Sequence, residues 1–344
     1  MRKSAAFLTM IVLALAFAGV GCPCIRGPVN GNESVRWWLF SHFGAQKVCP
    51  EMLKRGVPLR VASLGPNSVG RFFPTQCQTQ VNDADHSMAV FVAGTGYAFL
   101  PFARRVGFSA QARVEYRPDF RLESDSVYVW GRVSRLLEPP TLRILGVENP
   151  MVSLATQVPA LGDVGTAIGT GIATSEISRG FTVVRTDDGD DFAIGILTPP
   201  DKPPRQMKPG DDHRLLGSDS IEIHASEREY LGPFEVAGKD QVLFVKLRAQ
   251  GAPLNVVLVD RAVGDAWRQP YEAGQPLAAP PGPVIASGVV SPGESTQFFP
   301  LPPGLYYVVA ENRAPQPIAP LGLPIPMAEA GSQLVYSIEV GDRP

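Results

Sequence analysis

Residues 105–117 alternate strictly between apolar and polar. Val106, Phe108, Ala110, Ala112, Val114 and Tyr116 interleave with Arg105, Gly107, Ser109, Gln111, Arg113, Glu115 and Arg117. A period of two over such a run belongs to a long β-strand with one buried and one wet face. It predicts a sheet, and the flanking sequence supplies further strands at 88–93, 97–100, 127–133 and 142–147. Turn signals stand between them: Gly94-Thr95-Gly96, Pro118-Asp119, Glu123-Ser124-Asp125 and Pro139-Pro140. The expectation is an antiparallel meander of four to six strands. Glycine and proline, 34 of each in 344 residues, favour turns and β architecture over long helices.

Other elements surround the meander. Residues 35–53 read as a helix with a heavily apolar, aromatic character from Trp37, Trp38, Phe40, Phe43 and Val48. A packed core helix accounts for it, and an aromatic belt near lipid headgroups is the alternative. Residues 161–177 carry Leu161, Val164, Ile168 and Ile172 at helical spacing, among Gly165, Gly169 and Gly171. Glycine costs about 1 kcal/mol each inside a helix, which close approach to a sheet would offset. Residues 181–185 and 192–197 flank an acidic turn and read as a β-hairpin. Residues 198–215 hold Pro199, Pro200, Pro203, Pro204 and Pro209, a semi-rigid linker and the expected domain boundary. The fold class expected is mainly β with a few helices: an α+β domain at 35–197 and an all-β sandwich at 216–344.

The sandwich is expected from short strands at 221–224, 241–248, 254–260, 284–290, 295–299, 305–310 and 334–340, separated by Gly and Pro turns. Phe244-Val245-Lys246-Leu247-Arg248, then Leu254-Asn255-Val256-Val257-Leu258-Val259-Asp260, and Pro303-Gly304-Leu305-Tyr306-Tyr307-Val308-Val309 near the end loosely resemble the pre-peptidase C-terminal domains of secreted bacterial proteins. The resemblance implies an accessory module without a catalytic centre. A Pro- and Ala-rich insertion at 270–283 departs from its compact form.

The amino terminus bears on compartment. Arg2 and Lys3 precede an apolar run at 5–20 and then Gly19-Val20-Gly21-Cys22. A basic start, a short apolar core and small residues before a break make a secretory signal. A spanning helix needs roughly 20 apolar residues, and this run is shorter. The segment resembles the signals of bacterial lipoproteins, with Gly19 where leucine is usual. The resemblance implies a signal at 1–21, three acyl chains on Cys22, a flexible tether at 22–34, and a membrane partner through that anchor. With Cys22 lipidated in an oxidising compartment, Cys49 and Cys77 become the expected disulfide, and Cys24 is left over in the tether. The alternative is a plain secretory signal cut nearby.

Without Arg2 and Lys3, the formal charge moves from −2 to −4, which does not suit a nucleic-acid binder. Nucleophile-elbow, zinc-protease and phosphate-loop motifs are missing from the sequence. His42 reads as packed or capping and His213 as solvated. His224 shares a strand face with Glu222, where zinc or acid–base chemistry would need a third group, and Asp83-Ala84-Asp85-His86 could hold a divalent cation but is explained as a loop between strands. Asp187, Asp188, Asp190 and Asp191 around Gly189 are the sharpest polar cluster. Hard carboxylate oxygens in that density would suit calcium, although a solvated hairpin tip explains them as well; no other cofactor is expected. The function expected is a non-enzymatic envelope lipoprotein that binds a protein, glycan or lipid. The alternative is a glycan-active or other hydrolase whose carboxylates come from scattered strands.

Overall fold

The computed structural model describes residues 23–60, 67–100, 104–123, 126–148, 180–186, 189–194, 213–313 and 331–342. The protein is mainly β with a few helices. It starts with α1 (Pro23–Asn30), α2 (Glu33–Leu39), a π-helical turn (Phe40–Gly44) and α3 (Ala45–Leu53). Strands β1 (Val57–Arg60), β2 (Ser68–Asn82), β3 (Ser87–Leu100), β4 (Arg104–Leu122), β5 (Ser126–Val147), β6 (Phe181–Thr186) and β7 (Gly189–Ile194) follow. Then come β8 (His213–Ile223), β9 (Arg228–Val236), β10 (Gln241–Gly251), β11 (Leu254–Asp260) and α4 (Arg261–Glu272). The chain closes with β12 (Ala286–Val290), β13 (Gly293–Pro300), β14 (Gly304–Glu311) and β15 (Ser332–Asp342).

An eleven-stranded sheet runs β13-β10-β15-β8-β2-β3-β4-β5-β6-β7, with β1 attached to β2. From β2 to β7 it is the expected antiparallel meander. A second sheet, β12-β11-β14-β9, packs over its β8-β15-β10 part, with Leu243, Leu247, Ile338, Leu254 and Val308 between them. This is the sandwich. The large sheet passes from one unit to the other through a single parallel pair, Ser68 with Ile221.

Several expectations change. Gly94-Thr95-Gly96 and Pro118-Asp119 do not turn the chain, and neither does Pro139-Pro140: β3, β4 and β5 run straight through them. A Cβ on Gly94 or Gly96 would overlap the backbone carbonyls of Phe73 and Arg71 on β2. These glycines mark close approach between strands, not reversal. Residues 23–30, expected in the flexible tether, form α1, which is docked by Val29 in the core and by Asn30 Nδ2 donating to Leu122 O at 2.9 Å. Asn30 Oδ1 also accepts from Leu122 N at 2.9 Å. β8 begins at His213, inside the expected linker, and the His213 ring stacks 3.8 Å from that of Phe244 instead of lying in solvent. The expected helix at 161–177 and the linker up to residue 212 lie outside the described residues.

The sandwich is also not all-β. α4 covers the outer face of the smaller sheet, with Trp267 and Tyr271 buried against Tyr230, Tyr307 and Val309. Its N-cap is Asp260, whose side chain accepts from Val263 N at 2.8 Å. Across the first unit's sheet, α2 and the π-turn bury Trp37 and Phe40 against Met88, Val90, Val114 and Phe181. Cys49 on α3 and Cys77 on β2 form a disulfide with Cα atoms 5.3 Å apart. Closing that 28-residue span contributes about 3–4 kcal/mol through the unfolded state.

Candidate functional site

Titratable side chains gather at the seam between the two units. β9 carries Arg228 and Glu229 into the interior, where each finds partners. Arg71 on β2 donates from Nε to Glu229 Oε1 at 2.9 Å and from Nη2 to Tyr336 OH at 3.2 Å. Tyr97 OH donates to the second Glu229 oxygen at 2.8 Å and accepts from Tyr230 N at 2.9 Å. Arg228 lies 4.0 Å from the Trp267 ring centre and donates to Glu311 Oε1 at 3.1 Å. Arg105 lies 3.6 Å over the Tyr271 ring, and Arg268 lies 3.9 Å over Phe73 while paired to Glu272.

Burial sets the titration here. It would lower the Arg71 pKa, but its contacts with Tyr336 and Glu229 outweigh it and the guanidinium is held charged. Burial raises the Glu229 carboxyl, with Arg71 offsetting part of the effect. Glu272 is raised for the same reason, opposed by Arg268. Perturbed carboxyls can mark catalysis, but structural ion-pair networks perturb them too. Each one here has a charged partner: Glu229 meets Arg71 across the seam, and Glu272 meets Arg268 on its own helix. A one-sided deletion would leave a buried charge without its partner, which typically costs 3–5 kcal/mol. The network joins the units; it does not present a reacting group.

The exposed candidate lies elsewhere, on the sandwich edge. β12 and β13 are consecutive in sequence but belong to opposite sheets, and each is the outermost strand of its sheet. Among the described residues β12 pairs with β11 alone and β13 with β10 alone. A shallow cleft opens between them, lined by Val245, Leu258, Ala286, Val290, Phe299 and Val308. Its polar side chains are Ser287 and Gln297, and no ionisable group lines it. Phe298 and Val289, which alternate with cleft residues, are 61% and 63% exposed. Val284 and Ile285 just before β12 are exposed as well. Free backbone donors and acceptors along an apolar edge form a template for another strand.

The residues singled out from sequence are dispersed. Asp83 accepts from Trp37 Nε1 at 3.0 Å, His86 stacks on Trp37 and Asp85 accepts from Asn82, so the 83–86 loop serves the fold. His224 lies 3.8 Å from Glu222 on the sheet. Among the described residues no group of three or more His, Cys, Asp and Glu is placed to hold a metal ion. Asp190 and Asp191 lie on β7, whose backbone pairs them with Arg185 and Val184. Asp187, Asp188 and Cys22 lie outside the described residues. Sequence reasoning missed the edge as a site, although the residues at 284–290 and 295–299 were read as strands. Val289 and Phe298 falling out of phase with the buried positions were the available signal.

The architecture defines a class: a mainly β protein with two stacked sheets, one much wider than the other, and an open apolar edge. No family model matches the chain, and no curated protein matches it. Among solved structures, a chain in the structure of Triatoma virus has a TM-score of 0.23 at 10% identity, covering 48% of this chain and 83% of that one. So weak a likeness carries no argument.

Proposed function

We propose that this protein is a non-enzymatic cell-envelope lipoprotein, anchored through acyl chains on Cys22, whose sandwich edge binds an extended segment of a partner protein. The observation that carries the binding reading is the apolar edge of β12 and β13, unpaired among the described residues. The backbone of an added strand would pair with β13 or β12, and its side chains would lie beside exposed Phe298 and Val289. The chemistry of the lining favours polypeptide over glycan, since sugar recognition needs many more polar groups than Ser287 and Gln297. The cleft is too shallow to enclose a lipid. A hydrolytic reading needs two facing carboxylates, and this lining contains neither.

Site-specific photocrosslinking tests it. A photoreactive amino acid at Phe298, in cells making the full chain, is expected to give a discrete adduct that Val289→Asp weakens at least several-fold. The same probe at exposed Arg117, on β4, should give none. No adduct from position 298, or the same adduct from both positions, would overturn the binding reading.

A further inference from the structure

The helical segment at the amino terminus is apolar on two faces. Trp37, Phe40 and Ala45 face inward and are buried. On the outer side Val35, Trp38 and Phe43 are 38%, 40% and 36% exposed. A surface helix normally turns charged residues to water. Here the outward face instead carries an aromatic group. The Trp38 ring lies 5.0 Å from that of His42 and 5.9 Å from that of Phe43, the latter edge-on. His42 Nδ1 sits 2.9 Å from Trp38 O, and Ser41 Oγ donates to the same carbonyl at 3.2 Å, so the cluster is braced from within the helix. The π-turn Phe40–Gly44 is what permits this. His42 joins Trp38 at the ordinary i,i+4 spacing, and the extra residue of the π-turn brings Phe43, at i+5, onto the same face while Phe40 stays buried. Lys47, exposed one turn beyond Phe43, adds a cation at the margin.

We infer that this face, Val35, Trp38, His42, Phe43 and Lys47, lies in the headgroup region of the bilayer that holds the lipid anchor. The inference rests on the lipid-anchored reading above. Tether length argues for the bilayer over other occupants. The eight-residue α1 starts one residue after Cys22 and is docked on the domain, not loose. At 1.5 Å per helical residue, with two linking residues before α2, Trp38 lies within roughly 30 Å of the acylated cysteine. Acyl chains on Cys22 therefore bring this patch down to the membrane. Tryptophan and histidine rings with an apolar body and a polar edge suit the interface, and Lys47 can extend to phosphates. Ordering by several weak contacts would fix the domain's tilt and set which way the β12–β13 edge points.

The test uses the full-length acylated protein reconstituted into vesicles of phosphatidylethanolamine and phosphatidylglycerol. Lipids brominated on the acyl chains quench tryptophan at the interface and leave a ring held in water unaffected. Quenching in the wild type is expected to fall by more than half in Trp38→Phe, a half-exposed position where phenylalanine keeps the fold. Flotation of the vesicles after a high-salt wash reads the anchor separately. Protein that floats, but is quenched equally with and without Trp38 or not at all, overturns the membrane-facing patch while the anchor stands; that is also the outcome expected if the patch docks a protein. Wild-type protein that does not float overturns both.

Discussion

Tyr97 stands where the two units meet, and its surroundings show what burial does to a polar side chain here. Its hydroxyl bridges Glu229 and the backbone of Tyr230. Desolvation raises its pKa well above the ordinary value of 10.0, with the Glu229 charge adding to the rise. Burial likewise raises Tyr116, Tyr271, Tyr307 and Tyr336 and pushes Tyr230 up to about 12. The sign follows from proton binding. Above pH 10 the unfolded chain releases these protons and the folded chain keeps them, so stability is lost as pH rises through the folded values. Each tyrosine contributes a slope of up to about 1.4 kcal/mol per pH unit. The denaturant midpoint is therefore expected to fall steeply above pH 10, with the near-ultraviolet tyrosinate signal of the buried rings appearing together with the loss of circular dichroism. Full tyrosinate absorbance in a protein with native circular dichroism would contradict the burial argument.

At the scale of elements, legibility followed the hydrophobic period. β11 lies where the apolar run at 256–259 places it, and β4 follows the alternation that predicted it. β9 was invisible because Arg228 and Glu229 look like surface residues, and nothing local reveals the partners that let them be buried. β2 was missed because its second half, with Gln76, Gln78 and Gln80, is polar and Pro74 interrupts it. α4 went unread: Gly264 and Pro270 break its helical pattern, and only its last residues fall in the Pro- and Ala-rich insertion at 270–283. Val263, Trp267 and Tyr271 at four-residue spacing behind Asp260 were the signal. Even the alternation of β4 has exceptions. Arg105, on its expected wet face, is buried under Tyr271 because the end of α4 covers it. That covering is close: a Cβ on Gly107 would overlap the Glu272 carbonyl, and one on Gly146 the backbone of Ala273. Gly107→Ala is thus expected to shift the end of α4 and destabilise the protein by roughly 1–3 kcal/mol. Equilibrium denaturation checks this, and a variant of wild-type stability would mean that α4 sits farther from the sheet.

At the scale of the whole molecule, the wide sheet and the seam of arginines and aromatic rings set the two units in one arrangement. The apolar edge of the sandwich lies at one end of the wide sheet's strand order, and the helices that follow Cys22 pack on β2, β3, β4 and β6. In the account proposed here that layout separates attachment from recognition: the first unit meets the membrane and the second meets a partner. Little of this division was legible in the sequence, because the edge is created by which strands end up outermost. The proposed anchor is the reverse case: that reading rests on residues 2–22 alone. The most direct measurement is fractionation of cells making Cys22→Ala in an exported form. The account predicts that this variant leaves the membrane fraction while its denaturation curve matches that of the wild type. A variant that stays membrane-bound after high-salt washing would contradict it.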